Sequence, residues 1–242
     1  MADLHVVMHV PKTGGQTIRD HLRQHLAFHY EFIHLGPFGE GHARAIGLAP
    51  WQERSREDRA GALVLLGHHA NIDTPKLAPG NPRVKFSAMF REPAARLVSH
   101  YNFHVEIKRA KTGKDVLDWD YWYRGQKRNF VCRWIKQNFL LRSFDDTQSD
   151  EALFAEIAEA LDSFWLLGTM PHFHAFVSRL YADIGVPPPS DRRSNIAGRD
   201  YPARISVTEE IRDAVYRDHP VDCAIYDMVH ARAERTLGPT IP

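Results

Sequence analysis

The sequence predicts a three-layer α/β protein in which a central, mainly parallel sheet is flanked by helices. Three observations carry that expectation. Apolar runs at Leu4 to Val10, Ala62 to Leu66 and Val84 to Phe90 have the length and continuity of strands buried on both faces. Each run stops at polar or glycine-rich residues, and in open parallel sheets the segments just past the strand ends converge on a ligand crevice. Helical patterns alternate with the runs, which is the order of an α/β chain.

Taken in order, the first strand feeds Gly14-Gly15 and a helix from Thr17 towards His29. Glycines allow close backbone approach, and the free amides of a helix N-terminus can coordinate a phosphate. Gly36 to Glu57 reads as a loop leading into a helix around Trp51 to Ala60 that shapes a substrate cleft. The second strand ends at Gly67-His68-His69 and the third at Arg91-Glu92-Pro93, with Pro93 placed as the first residue of a helix reaching Lys108. Further helices are expected over Asn129 to Leu141, Asp150 to Leu161, Pro171 to Ile184 and Val207 to Met228, the last broken near His219-Pro220. Phe164 to Gly168 adds a strand, and Pro187-Pro188-Pro189 a rigid connection.

The chain has 242 residues, enough for one domain spanning 1–242, within which 108–145 reads as a helical substrate-side insertion. With 31 Lys plus Arg against 30 Asp plus Glu, the formal net charge of +1 gives no whole-molecule reason to expect nucleic acid. No reading helix, zinc cluster or RNA-binding strand signature accompanies it either. Cys132 and Cys223 are far apart and lack metal-ligand spacing, so they read as buried apolar residues rather than a disulfide. The apolar start of the chain is too short for a signal peptide or a transmembrane segment. A cytoplasmic protein is therefore expected, with peripheral membrane contact left open because an acceptor can itself sit in lipid.

The strongest chemical signal is His9-Val10-Pro11-Lys12-Thr13-Gly14-Gly15-Gln16-Thr17. Lys12 precedes the glycines, unlike the GxxxxGK[ST] phosphate loop. The ingredients are nevertheless those of an anion site: an ammonium, compact backbone donors and a hydroxyl at the next helix start. A strand-to-helix turn of purely structural purpose uses the same letters.

Pro11-Lys12-Thr13-Gly14-Gly15 resembles the 5'-phosphosulfate loop of the sulfotransferases that use 3'-phosphoadenosine 5'-phosphosulfate (PAPS), especially the Golgi carbohydrate branch and its bacterial relatives. Phe90-Arg91-Glu92-Pro93-Ala94-Ala95-Arg96-Leu97-Val98-Ser99-His100-Tyr101 is similar to that family's second motif. The resemblance implies a P-loop-like fold and PAPS as sulfuryl donor, with 3'-phosphoadenosine 5'-phosphate (PAP) as product and no metal. It also implies that Arg91 and Ser99 bind the 3'-phosphate, that Pro11, Lys12, Thr13, Gly14, Gly15, Gln16 and Thr17 form the 5' loop, and that Lys12 is catalytic. Gln16 stands where the family often has Thr. A late basic loop often closes over the cofactor in the family, which makes Arg192, Arg193 and Arg199 candidate contacts.

An acceptor hydroxyl must lose a proton as it attacks sulfur, and an imidazole titrates near neutrality. His68 fills that role here, and Gly67-His68 resembles a Gly-His pair of carbohydrate 2-O-sulfotransferases; His69, Glu31 and Glu92 are the competing bases. The 108–136 segment interleaves nine basic residues with Trp119, Tyr121, Trp122, Tyr123, Phe130 and Trp134. Such a face suits a sugar, polysaccharide or glycolipid acceptor, although core packing explains the same aromatics. His21, His25 and His29, like His172 and His174, read as structural rather than metal-binding. Two other functions share these residues: a non-catalytic carbohydrate-binding or scaffold protein on the same fold, and a nucleotide-dependent kinase. Oligomerisation is compatible with the sequence but not specified by it.

Overall fold

Leu4, Val6, Val7 and Met8 are all buried, as a strand covered on both faces requires. The computed structural model describes residues 3–27, 31–35, 63–77, 83–112, 117–143, 147–188 and 204–239, with backbone only at 107–112. Strands β1 (Leu4–Met8), β2 (Phe32–Leu35), β3 (Val64–Gly67), β4 (Val84–Phe90) and β5 (Leu166–Thr169) form a single sheet ordered β2-β3-β1-β4-β5. Every neighbouring pair is parallel, so all strand C-termini lie along one edge.

Alternation along the strands divides the core between two faces. Val7, Phe32, Val64, Leu66, Met89 and Leu166 pack against α1 (Gly15–His25) and a later helix, Phe173–Ile184. Met8, Ala88, Phe90 and Leu167 face the other way, onto Leu153, Ile157, Leu161, Ile225 and Val229. The remaining described helices are α2 (Pro93–Thr112), α3 (Trp119–Arg124), α4 (Phe130–Trp134) and α5 (Asp150–Asp162), then α6 (Phe173–Ile184), α7 (Glu209–Asp218) and α8 (Pro220–Leu237). The result is the expected three-layer α/β architecture with a parallel central sheet.

Several elements differ from the sequence reading in instructive ways. β2 was not anticipated: its four residues contain His34, and a run this short shows no decisive period. The helix expected over Asn129 to Leu141 is divided into α4 and a π-helical turn, Ile135–Phe139, where the Leu140 N–H donates to the Ile135 carbonyl at 3.0 Å. Pro220 does start a new helix after His219, but that helix runs on to Leu237, well past Met228. The loop and helix expected across 36–60 lie outside the described residues.

Both cysteines are free and buried. Among the described residues no helix is long and apolar enough to cross a membrane, and no group of three or more His, Cys, Asp or Glu side chains is arranged to hold a metal ion.

Candidate functional site

β1 sits between β3 and β4, and its onward connection runs to β2 on one side while β4 leads to β5 on the other. Adjacent parallel strands whose connections leave in opposite directions open a crevice at their C-terminal ends. The loop after β1 carries Lys12; the first residue after β4 is Arg91. His68 follows β3, the other neighbour of β1.

The loop after β1 is shaped for an anion. Gly14 is left-handed, with φ of 84°, and its carbonyl accepts from the Thr17 N–H at 3.0 Å, starting α1 two residues earlier than the sequence pattern indicated. A side chain at residue 14 would be strained at this φ and would come within 3.0 Å of Phe173. Gly14 at the N-cap has no side chain with which to cap α1, so the positive end of the helix faces the crevice without a side-chain acceptor from that position. Thr13 is turned inward instead: its buried hydroxyl donates to the Val10 carbonyl at 2.8 Å and braces the loop. Lys12 also has positive φ, 71°, and its ammonium lies 4.0 Å from the centre of the Phe103 ring on α2.

Lys12 and Arg91 share the crevice electrostatically. Burial pulls the Lys12 pKa down, and the Arg91 charge pulls it down further, while Glu106 opposes them. Burial likewise lowers the Arg91 pKa, with Glu92 acting against it. Two partly desolvated cations at one strand edge, beside uncapped helix amides, form a site whose electrostatics call for a multiply charged anion. Ser99 lies on α2, half-buried, two turns beyond Arg91.

Glu92, one of the competing bases, has its carboxylate engaged by the backbone. Its carboxylate accepts from the Ala94 N–H at 3.2 Å and the Ala95 N–H at 2.7 Å, capping α2 from the turn before it. Glu31 is similarly committed, accepting from the Ala27 N–H at 2.8 Å. His68 is better placed. Its Nδ1 lies 2.7 Å from the His9 carbonyl oxygen, which can only accept, so Nδ1 carries the proton and Nε2 holds the lone pair. Burial lowers the His68 pKa, with the His9 hydrogen bond opposing it, so the imidazole is neutral near pH 7. His69 is pushed down to about 4, chiefly by burial.

The structure also brings in residues the sequence reading did not single out. His100, next to Ser99, is depressed to about 4 by burial and by the Arg96 and Lys12 charges, and meets the Trp122 ring edge-on at 5.4 Å. Glu106 pairs with Arg204, and both lie within Coulombic range of Lys12. Arg204 follows a segment, 189–203, that lies outside the described residues together with Arg192, Arg193 and Arg199. The adjacency of His100 to Ser99 was a usable signal; the approach of Phe103, Glu106 and Arg204 to Lys12 depends on tertiary packing alone.

Most of the aromatic residues of 117–136 are structural. Trp119, Trp122 and Tyr123 pack with Tyr101 and Val215, and Phe130 and Trp134 lie against the main core. Tyr121 is exposed. Trp134 is the aromatic of this group whose ring meets His68, edge-on at 6.4 Å. Part of the charge run is also internally satisfied: Lys136 pairs with Glu156 at 3.0 Å and Arg128 with Asp150 at 2.5 Å.

No protein-family model matches the chain, and no curated protein matches it significantly. Among solved structures it is similar to the crystal structure of a sulfotransferase from Alicyclobacillus acidocaldarius. The identity is 14% and the TM-score 0.45, with 100% of this chain and 97% of that chain covered.

Proposed function

We propose that the protein is a PAPS-dependent sulfotransferase that transfers a sulfuryl group to an acceptor hydroxyl, on a carbohydrate or glycoconjugate. The observation that carries this reading is the placement of Lys12 and Arg91 at the β1/β4 crevice beside the uncapped start of α1, which supplies cationic and amide donors to an anion with separated charges. Lys12 and the amides of Gly14, Gly15 and Gln16 hold the 5' end of the donor, and Arg91 with Ser99 holds the 3'-phosphate. Bound there, the donor supplies an activated sulfuryl group. Lys12 neutralises the charge that accumulates on the departing phosphate, and His68 Nε2 takes the acceptor proton while the His9 carbonyl holds Nδ1–H in place. On the acceptor side, Trp134 beside His68 offers its indole to a sugar ring. Two free, buried thiols support a cytoplasmic setting for this chemistry.

Titration calorimetry with PAP tests the donor site. Wild type is expected to bind PAP selectively over ADP, and Arg91→Ala to bind it about 10- to 100-fold more weakly, the loss typical of a charge-assisted contact. Equal affinity for PAP and ADP, or an Arg91→Ala variant that binds like wild type, would overturn the reading.

The base assignment makes a separate prediction about pH. His68 must be neutral to accept a proton, so turnover rises with pH through its folded-state pKa and levels off above it. Because burial lowers that pKa, the acid limb should have its midpoint below the ordinary 6.5. His68→Gln should abolish that limb as well as slow the reaction. A limb centred above 6.5, or one that survives His68→Gln, would move the role to another group.

A further inference from the structure

Nothing in the proposed chemistry uses the His9 side chain, yet it sits, half-buried, between the two halves of the site. One ring face lies against His68, with centroids 4.1 Å apart and planes 18° from parallel. The ring also covers Gly15, the first residue of α1: a Cβ at position 15 would fall 2.2 Å from His9 Cδ2. The His9 backbone is fastened to β3 through its N–H, which donates to the Gly67 carbonyl at 3.0 Å. Among the described residues its buried Nδ1 has no hydrogen-bond partner, so that edge of the imidazole is fixed by the packing of the ring faces.

We infer that the His9 ring is a positioning residue that joins the anion loop to the His68 imidazole, and that residue 15 is glycine to seat it. The inference rests on the sulfotransferase reading for its purpose, but its geometry stands independently. A flat ring stacked on His68 excludes water from that face and restricts rotation of the imidazole, so that Nδ1 stays on the His9 carbonyl and Nε2 keeps one direction. The groups around the pair are His34 on β2, Arg19 on α1, Lys12 in the loop and His69 beside His68. His9 itself is depressed to about 3, first by burial and then by His68, His34, Arg19 and Lys12, so it is uncharged near neutral pH. With no charge and with Nδ1 unpartnered among the described residues, its contact with His68 and Gly15 is one of packing. That makes it replaceable by another flat ring and not by an aliphatic chain.

The test is imidazole nitrogen NMR on histidine-labelled protein, reading the His68 tautomer and pKa directly and needing no acceptor. Wild type should show the Nδ1–H tautomer and a pKa below 6.5. His9→Phe should preserve both. His9→Leu, and independently Gly15→Ala, whose methyl takes the seat of the ring, should mix the tautomers and move the His68 pKa back towards 6.5. The inference falls if wild type lacks the single tautomer, if the Leu and Ala variants keep the wild-type values, or if His9→Phe changes them as much as His9→Leu. PAP calorimetry on the same samples separates the two readings: failure of wild type to bind PAP would remove the donor assignment, while the link between His9 and His68 would still be decided by the spectra.

Discussion

Replacing Lys12 with Met should lower turnover of PAPS by about 10²- to 10³-fold, the usual cost of removing a donor that stabilises charge forming in the transition state. Met keeps the length and the apolar stem that lies on Phe103, so the change isolates the ammonium. Binding of PAP should weaken less than turnover falls, because the charge on the leaving phosphate is greatest as the bond to sulfur breaks. Stability should hold or rise. Lys12 is partly desolvated and is repelled by Arg91, and both disadvantages disappear with the charge. PAP release from PAPS with an acceptor panel gives the rate, and thermal unfolding gives the stability. A Lys12→Met enzyme with wild-type turnover would remove Lys12 from the chemistry, whereas one that is inactive because it is unfolded would show that the ammonium holds the loop together.

The parts of this site that were legible in the sequence are those encoded by neighbours along the chain. A buried run, a lysine and a glycine pair announce β1 and the start of α1, and Phe90-Arg91 followed by Pro93 announces β4 and α2, because strand ends and helix starts have local chemistry. His68 was found in the same way, at the end of an apolar run. Its tautomer was not, since that depends on the His9 carbonyl brought over from a different strand. Phe103 under Lys12, and the Glu106–Arg204 pair beside it, were invisible for the same reason. Arg96 depends on packing in the same way. It lies between Arg91 and Ser99 in the chain, yet it is 2% exposed and its guanidinium lies 4.9 Å from the centre of the Phe130 ring. Packing divides the start of α2 between the crevice and the core.

That division makes Asp222 the residue whose loss should cost the most stability. Asp222 is 4% exposed in the first turn of α8, and its carboxylate accepts from the Val131 N–H at 3.0 Å and the Cys132 N–H at 2.9 Å, capping α4 from outside. It is also the negative charge that offsets buried Arg96, whose Nε has no hydrogen-bond partner among the described residues. Around it, Asn129 accepts from the Val221 N–H at 3.1 Å and donates to Asp150, so α2, α4, α5 and α8 meet at one polar junction inside an apolar core. Asp222→Ala leaves two buried amides unpaired and Arg96 without its counter-charge. About 3–5 kcal/mol should be lost, the range measured when one member of a buried charged set is removed. Urea unfolding would read this as a lower midpoint with an unchanged slope. The decisive comparison adds Arg96→Met. If the buried charge is what makes the loss large, the double variant should recover part of it, because a methionine fits against Phe130 without needing a counter-ion. If Asp222→Ala costs under about 1 kcal/mol, or Arg96→Met deepens the loss, then Arg96 is solvated or paired in some other way and the junction is not held by charge.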